Sequence, residues 1–202
     1  MKTQFIKRSQ QGFTLVELLV VIVIIAVLAT LGTSVGIAAL QKARKVTAQA
    51  AATDIANAVE QFYSEYNMLP APDSGAPDED NKLTPYETNS GNGIQLLDVL
   101  AGFEEEQNER KLRFLGVKES DDGRRNGVVY NGTGDAVTGL FDPWGEPYYI
   151  ILDYDYDGRI EISVPLQDSN INTTLNNKRV AIYSLGTDTP TEAKRKDLVK
   201  TW

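Results

Sequence analysis

The chain has 202 residues, a formal net charge of −8, and neither cysteine nor histidine. The absence of cysteine excludes disulfide bonds, and the absence of histidine removes the usual general base and the commonest zinc ligand. Catalytic centres of the cysteine–histidine and serine–histidine–aspartate types are therefore excluded, so we do not expect an enzyme. The negative net charge also disfavours a nucleic-acid partner.

A polar leader and a long apolar segment open the chain. The leader, residues 1–12, carries Lys2, Lys7 and Arg8, and residues 18–40 contain no charge and no proline. A helix over that apolar run would extend roughly 34 Å, enough to cross a hydrocarbon core of ~30 Å. We therefore predict a transmembrane and assembly helix over residues 13–40. The run is longer than the apolar part of a secretory signal peptide, whereas hydropathy alone leaves an uncleaved membrane anchor open.

Glu17 is the charged residue at the start of this apolar segment. A carboxylate inside a membrane is costly and needs a partner, and the N-terminus of a helix favours negative charge. Glu17 is therefore predicted either to pair with a cation in the apolar phase or to lie at the membrane edge, where water solvates it.

The order of these features resembles the class III signal of type IV pilins and type II secretion pseudopilins. The matching elements are the basic leader, Gly12, Phe13-Thr14-Leu15, Glu17 and the long apolar helix. The resemblance implies cleavage by prepilin peptidase after Gly12, N-methylation of Phe13 and a cytoplasmic leader. The new α-amine on Phe13 would lie one helical turn from Glu17, in the same chain or in a neighbouring copy, and the two groups could neutralise each other.

The helical pattern continues beyond the apolar segment and becomes amphipathic. Apolar side chains recur there at steps of three and four residues, at Ala48, Ala52, Ile55, Val59, Phe62 and Tyr66. Residues 41–68 contain no helix breaker, and Pro70 ends the pattern. One helix is therefore predicted from residue 13 to about residue 67. Its second half should pack on the core of a domain that comprises residues 41–202.

We interpret residues 70–140 as a variable excursion of this domain. Residues 70–92 are rich in Pro, Asp, Asn, Gly and Ser, which indicates a long loop. Residues 94–103 predict a short helix, which residues 104–106, all glutamate, continue as a solvated charge run. Residues 111–139 are ambiguous and contain two turn signals.

Three β-strands are predicted in the C-terminal part, residues 141–202. They are Tyr148–Leu152, Arg159–Val164 and residues 179–185, all rich in β-branched and aromatic side chains. The pair Asp157-Gly158 favours a hairpin between the first two strands. The order of elements predicts an α+β, pilin-like fold, in which the long N-terminal helix packs on a small antiparallel three-stranded sheet.

Three C-terminal motifs resemble the G-type major pseudopilin family of type II secretion systems. Residues 142–149 read Asp-Pro-Trp-Gly-Glu-Pro-Tyr-Tyr, residues 181–188 read Ala-Ile-Tyr-Ser-Leu-Gly-Thr-Asp, and Asp197-Leu198 is followed by a closing Trp202. The first motif also has a local interpretation, a tight turn that Asp142 caps, with Trp144 buried. The two interpretations are compatible.

The resemblance to major pseudopilins implies a bound Ca²⁺ in the last loop. The positions that match its ligands are the carboxylates of Asp188 and Asp197 and the backbone carbonyl of Leu185. Ca²⁺ takes hard oxygen ligands and tolerates irregular geometry. The loop departs from the glycine-rich, acidic family pattern, because residues 194–196 read Lys-Arg-Lys. These cations weaken the attraction for Ca²⁺, and pairing of them with Asp188 and Asp197 is the alternative to a metal.

A second acidic segment matches the opening of an EF-hand calcium loop. It consists of Asp153, Asp155 and Asp157, followed by Gly158. The EF-hand pattern needs a bidentate glutamate six residues after the glycine, where this chain has Val164. We interpret the segment as the acidic tip of a hairpin, with a weak accessory Ca²⁺ site as the alternative.

Together these features predict a structural subunit of a type II secretion pseudopilus. The resemblance implies a helical homo-oligomeric filament that drives protein export, anchored in the bacterial inner membrane by a single pass, with a periplasmic soluble domain. The implied partners are prepilin peptidase, minor pseudopilins and the inner-membrane secretion platform. One alternative is a type IV pilin for adhesion or motility, against which the Asp-Pro-Trp-Gly motif and the lack of cysteine argue. Another is a membrane-anchored, calcium-dependent binding module.

Overall fold

The computed structural model describes residues 12–72, 75–81, 84–167, 170–186 and 198–202, and for residues 31–35 it gives the helical backbone alone. The chain divides into two compact units, Met1–Lys42 and Ala43–Trp202. Helix α1, Leu15–Tyr66, runs through the boundary between them. Both of its ends lie close to those predicted from the sequence.

In the first unit, the described apolar side chains of α1 are exposed. Leu15 is 81% exposed and Leu28 is 63% exposed. An exposed apolar surface of this extent is typical of a site that contacts protein or lipid. None of the helices, as far as the structure describes them, has the combination of length and apolarity that a membrane crossing requires. The transmembrane role of residues 13–40 therefore stays a prediction.

In the second unit, α1 buries one face in the main core. Ala52, Ile55, Val59 and Phe62 are fully buried, at the steps of three and four residues that place side chains on one face of a helix. They belong to one cluster with side chains of the central β-strands. The prediction that the second half of the helix packs on the sheet is therefore confirmed.

Helix α2, Gly91–Ala101, is shorter at its C-terminal end than the sequence predicted. Gly102 adopts a left-handed conformation (φ 83°), and its N–H and that of Phe103 donate to the carbonyls of Val99 and Asp98. This arrangement ends the helix, because it satisfies the last free carbonyls with a turn. Residues 104–106 are therefore not helical, which corrects the prediction of a continued helix.

The structure describes eight β-strands, and the pairings between these strands are antiparallel. In chain order they are β1 (Tyr86–Glu87), β2 (Gly127–Tyr130), β3 (Val137–Phe141), β4 (Tyr148–Leu152), β5 (Arg159–Val164), β6 (Ile171–Asn176), β7 (Val180–Ser184) and β8 (Val199–Lys200). They form a four-stranded sheet in the order β1-β4-β7-β8 and two hairpins, β2–β3 and β5–β6. The ambiguous block thus contains a hairpin, and the predicted loop over residues 70–92 contains β1.

The predicted single three-stranded sheet is wrong in its pairing. Strand β4 has β1 on one side and β7 on the other, so no edge is left for β5, which pairs with β6 instead. The Asp157-Gly158 pair consequently does not close a hairpin between β4 and β5. Residues 153–158 connect the four-stranded sheet to the β5–β6 hairpin.

The β5–β6 hairpin covers the face of the four-stranded sheet that is opposite α1. Ile150 and Ile182 belong to the core cluster that contains the helix, whereas Ile151 and Ala181 belong to a second cluster with the apolar face of β5. Both faces of β4 and β7 are therefore buried. This burial explains why these strands are continuous apolar runs, whereas β5 alternates buried and exposed residues.

We predict that Phe62→Ala will destabilise the second unit by about 3–5 kcal/mol, because it removes a fully buried ring from the interface between α1 and the sheet. Urea unfolding of the full chain in detergent, followed by tyrosine and tryptophan fluorescence, measures the change. The matched control is Gln61→Ala at the exposed neighbouring position, which should change stability by no more than about 0.5 kcal/mol. Equal losses in the two variants would contradict this packing.

Candidate functional site

The predicted processing segment lies at the N-terminus of α1, where Thr14 and Glu17 form a reciprocal cap. The Thr14 N–H and Oγ1 donate to Glu17 Oε2 at 2.8 Å and 2.7 Å, and the Glu17 N–H donates to Thr14 Oγ1 at 3.2 Å. This is a capping box, which satisfies backbone donors that the first helical turn leaves free. Glu17 thus has a structural role in the uncleaved chain that does not require an amine.

Gly12 and Phe13 precede this cap as exposed, non-helical residues. Phe13 is 82% exposed. The peptide bond after Gly12 is therefore accessible at the start of the helix, as a cleavage site requires. The pairing of Glu17 with a new amine on Phe13 stays a prediction, as do cleavage and methylation.

Asp142 organises the Asp-Pro-Trp-Gly motif between β3 and β4. Its Oδ1 accepts the N–H groups of Trp144, Gly145 and Glu146 at 2.8–2.9 Å. Gly145 has a φ of 99°, a conformation that favours glycine. The tight turn capped by Asp142 is therefore present, but Trp144 is half-buried rather than buried.

The same aspartate connects this turn to the second motif. Ser184 Oγ, at the end of β7, donates to Asp142 Oδ2, and the Gly186 N–H donates to Ser184 Oγ at 3.1 Å. Asp142 is completely buried. Burial raises its pKa to about 6, although its hydrogen bonds to Ser184 and to the turn favour the ionised form.

The third motif also joins this region of the sheet. In β8, Val199 pairs with Ser184, and the Trp202 ring packs edge-on against Tyr183 with ring centroids 6.3 Å apart. The three motifs, which are far apart along the chain, therefore meet around β7. Their described contacts are those of a packing centre.

Of the three Ca²⁺ ligands predicted for the last loop, the structure describes only Leu185, which is buried. Asp188 and Asp197 lie outside the described residues. The pairing of Ser184 with Val199 places the two described flanks of that loop next to each other. Calcium binding by Leu185, Asp188 and Asp197 stays a prediction.

In the structure, two aspartates of the second acidic segment lie close to a third, Asp80, which the sequence did not indicate. Asp80, Asp153 and Asp155 each place a carboxylate oxygen within 4.8 Å of those of the other two. Asp157 is not in this group, and its Oδ1 accepts the Arg159 N–H at 2.6 Å. Asp80 comes from the loop before β1, and no local pattern relates it to the residues after β4.

The electrostatics of this acidic cluster follow from burial and like charge. Burial and the negative charges of Asp155 and Asp153 raise the pKa of Asp80 to about 6. Burial, followed by the proximity of Asp155, also raises the pKa of Asp153. The cluster is therefore costly in its fully ionised form unless a positive charge compensates it.

We predict that replacing Asp142 by asparagine will change how stability depends on pH. Asp142 has a pKa of about 6 in the folded state, compared with an ordinary value of 3.8. As the pH rises, its carboxyl group therefore ionises at a lower pH in the unfolded chain than in the folded chain. Relative to Asp142→Asn, the wild type should therefore lose about 2–3 kcal/mol of stability between pH 4 and pH 7. Asparagine can still accept from the turn and donate to Ser184 Oγ, so the variant should fold.

Urea unfolding of both proteins over this pH range measures the difference between their free energies of unfolding. The contributions of the other carboxylates cancel in this difference, because both proteins contain them. Parallel stability curves would contradict the raised pKa, and a wild type that gains stability with pH would show that the hydrogen bonds to Asp142 outweigh its burial.

Comparison with known proteins identifies one segment of the chain. Residues 7–33 match the family described as the prokaryotic N-terminal methylation motif, which is typical of type IV pilin-like proteins and pseudopilins. No curated protein and no solved structure matches the chain significantly. The matched segment contains Gly12, Phe13 and Glu17, so the chain carries an N-terminal methylation motif of the pilin type.

Proposed function

We propose that the chain is a structural subunit of a type II secretion pseudopilus, and not an enzyme. The observation that carries the proposal is the methylation motif over residues 7–33. Prepilin peptidase cleaves the chain after Gly12, Phe13 is N-methylated, and the mature subunits polymerise into a helical filament that drives protein export. Minor pseudopilins and the inner-membrane secretion platform are its further partners.

The exposed apolar surface of the first unit supports assembly. Side chains of residues 15–30 are exposed throughout, including those of Leu18, Ile22 and Ile25. Such a surface needs lipid or other apolar helices, because water solvates it poorly. Residues 13–40 therefore span the bacterial inner membrane before assembly and pack against the same segment of other copies afterwards, with the second unit in the periplasm.

The convergence of the three C-terminal motifs supports the type II secretion branch over an adhesion or motility pilin. Asp142, Ser184 and Trp202 lie around one strand, so the residues that carry the resemblance act as one packing centre. In this proposal, Ca²⁺ bound by Leu185, Asp188 and Asp197 fastens the last loop to β7 and β8.

Processing is tested by mass spectrometry of the protein isolated from membranes. We expect the mature chain to begin with N-methyl-phenylalanine at Phe13, because the resemblance to prepilins implies cleavage after Gly12. Gly12→Val puts a branched side chain at that site and should leave the chain uncleaved. A wild-type protein that still begins at Met1 would refute the proposal.

Assembly is tested by separating the two roles of Glu17. Glu17→Ala removes both the helix cap and the partner of the amine, whereas Thr14→Ala removes only the cap, at a cost of about 1 kcal/mol. We expect both variants to enter the membrane, but only Glu17→Ala to lose filaments and secretion.

Filament yield by electron microscopy of sheared cells and export of a secreted reporter protein measure the outcome. Equal defects in the two variants would show that Glu17 acts through the cap alone. Surface fibres that assemble while export is unaffected by deletion of the chain would favour the adhesion or motility pilin.

A further inference from the structure

The acidic cluster of Asp80, Asp153 and Asp155 is held in place by hydrogen bonds to the strand beside it. Asn81, which follows Asp80, is buried and pairs with β4: its Nδ2 donates to the Ile150 carbonyl at 2.9 Å and its Oδ1 accepts the Leu152 N–H at 2.8 Å. The Tyr154 N–H donates to Asp80 Oδ1 at 3.0 Å. The loop before β1 is therefore fixed next to the end of β4, so the three carboxylates meet in a preorganised position.

Asp153 provides an independent observation that points to a ligand. Its side chain is only 2% exposed, and its Oδ2 accepts the Gly158 N–H at 3.1 Å. Its Oδ1 is buried and has no hydrogen-bond partner among the described residues. A buried carboxylate oxygen without a partner is costly, and native proteins rarely leave one unsatisfied.

Ion pairs do not compensate the charge of the cluster within the described part of the chain. The ion pairs found there do not involve Asp80, Asp153 or Asp155. Two cations, Lys178 and Arg179, line a cavity of 280 Å³ beside Asp153. The Arg179 guanidinium pairs with Glu60 at 3.1 Å and lies 4.1 Å from the centre of the Tyr63 ring, whereas the exposed Lys178 forms no ion pair with the cluster among the described residues. Three carboxylates within 4.8 Å of one another thus have no ion-pair partner among the described residues.

We propose that Asp80, Asp153 and Asp155 bind one divalent cation of the Ca²⁺ type. Ca²⁺ takes carboxylate ligands, tolerates irregular geometry and accepts water in its remaining positions. It would supply the missing partner of Asp153 Oδ1 and relieve the repulsion among the three acids. This site differs in all its residues from the predicted set in the last loop, and it does not depend on the proposed function.

The bound cation would join the loop before β1 to the segment between β4 and β5. Because the cluster supplies only three of the six to eight oxygen ligands that Ca²⁺ takes, we expect a dissociation constant on the order of 10⁻⁴ to 10⁻³ M, as in extracellular calcium modules. A ligand at free concentration c that binds only the folded state stabilises it by RT ln(1 + c/Kd), so the melting temperature rises as the Ca²⁺ concentration exceeds the dissociation constant. The site would therefore stabilise the second unit where Ca²⁺ is abundant.

The test compares thermal unfolding of the full chain in detergent with EDTA and with millimolar CaCl₂. Ca²⁺ should raise the melting temperature of the wild type. Asp80→Asn and Asp155→Asn should melt above the wild type in EDTA, because each removes like-charge repulsion, and should lose the response to Ca²⁺. Their affinity for Ca²⁺ in isothermal titration should fall by about tenfold or more.

Asp157→Asn is the matched control, because it removes an exposed carboxylate of the same segment that lies outside the cluster. It should keep the wild-type response. A wild type that does not respond to Ca²⁺, or Asp80→Asn and Asp155→Asn variants that respond fully, would overturn the proposal.

A double variant with Asp188→Asn and Asp197→Asn separates this site from the last loop. If the cluster binds Ca²⁺, this variant retains the thermal shift that Asp80→Asn abolishes. If the whole shift disappears with the loop variant and survives in Asp80→Asn, the cluster is not the site. Neither result bears on filament assembly, which the Glu17 and Thr14 variants test separately.

Discussion

The second unit depends on a pair of strands, β4 and β7, that is buried on both faces. Ile150 and Ile182 face α1, whereas Ile151 and Ala181 face the β5–β6 hairpin. Because neither face meets water, polar side chains are confined to the ends of these strands. The turn capped by Asp142 precedes β4 and the acidic cluster follows it, so both polar groups are positioned by the same apolar core.

Helix α1 has two environments because its pattern of side chains changes near the boundary between the units. Before the boundary it is apolar around its circumference, and its described apolar side chains are exposed. After the boundary it is amphipathic, and Phe62 and its neighbours bury one face against the sheet. One continuous helix thus carries both the N-terminal pilin-type signal and the main core.

The sequence-based predictions succeeded where structure depends on nearby residues. The ends of α1, the strands β4 and β5 and the Asp142 turn follow from helical or alternating periodicity and from local turn chemistry. The predictions failed for the length of α2, because the left-handed conformation of Gly102 was not recognised as its stop. They also failed for the partner of β5, because an antiparallel strand can pair with either neighbour, and the choice depended on β1 occupying the edge of β4.

The sequence by itself determined the N-terminal signal, the long helix and the apolar character of the central strands, since each is encoded within a few residues. Only the tertiary structure decided that Asp80 joins Asp153 and Asp155, and that Ser184 contacts Asp142. These residues are far apart in the chain. They come into contact because α1 and the β5–β6 hairpin pack on the two faces of β4 and β7, and this packing brings distant loops to the ends of the same strands. A local pattern carries no information about that packing.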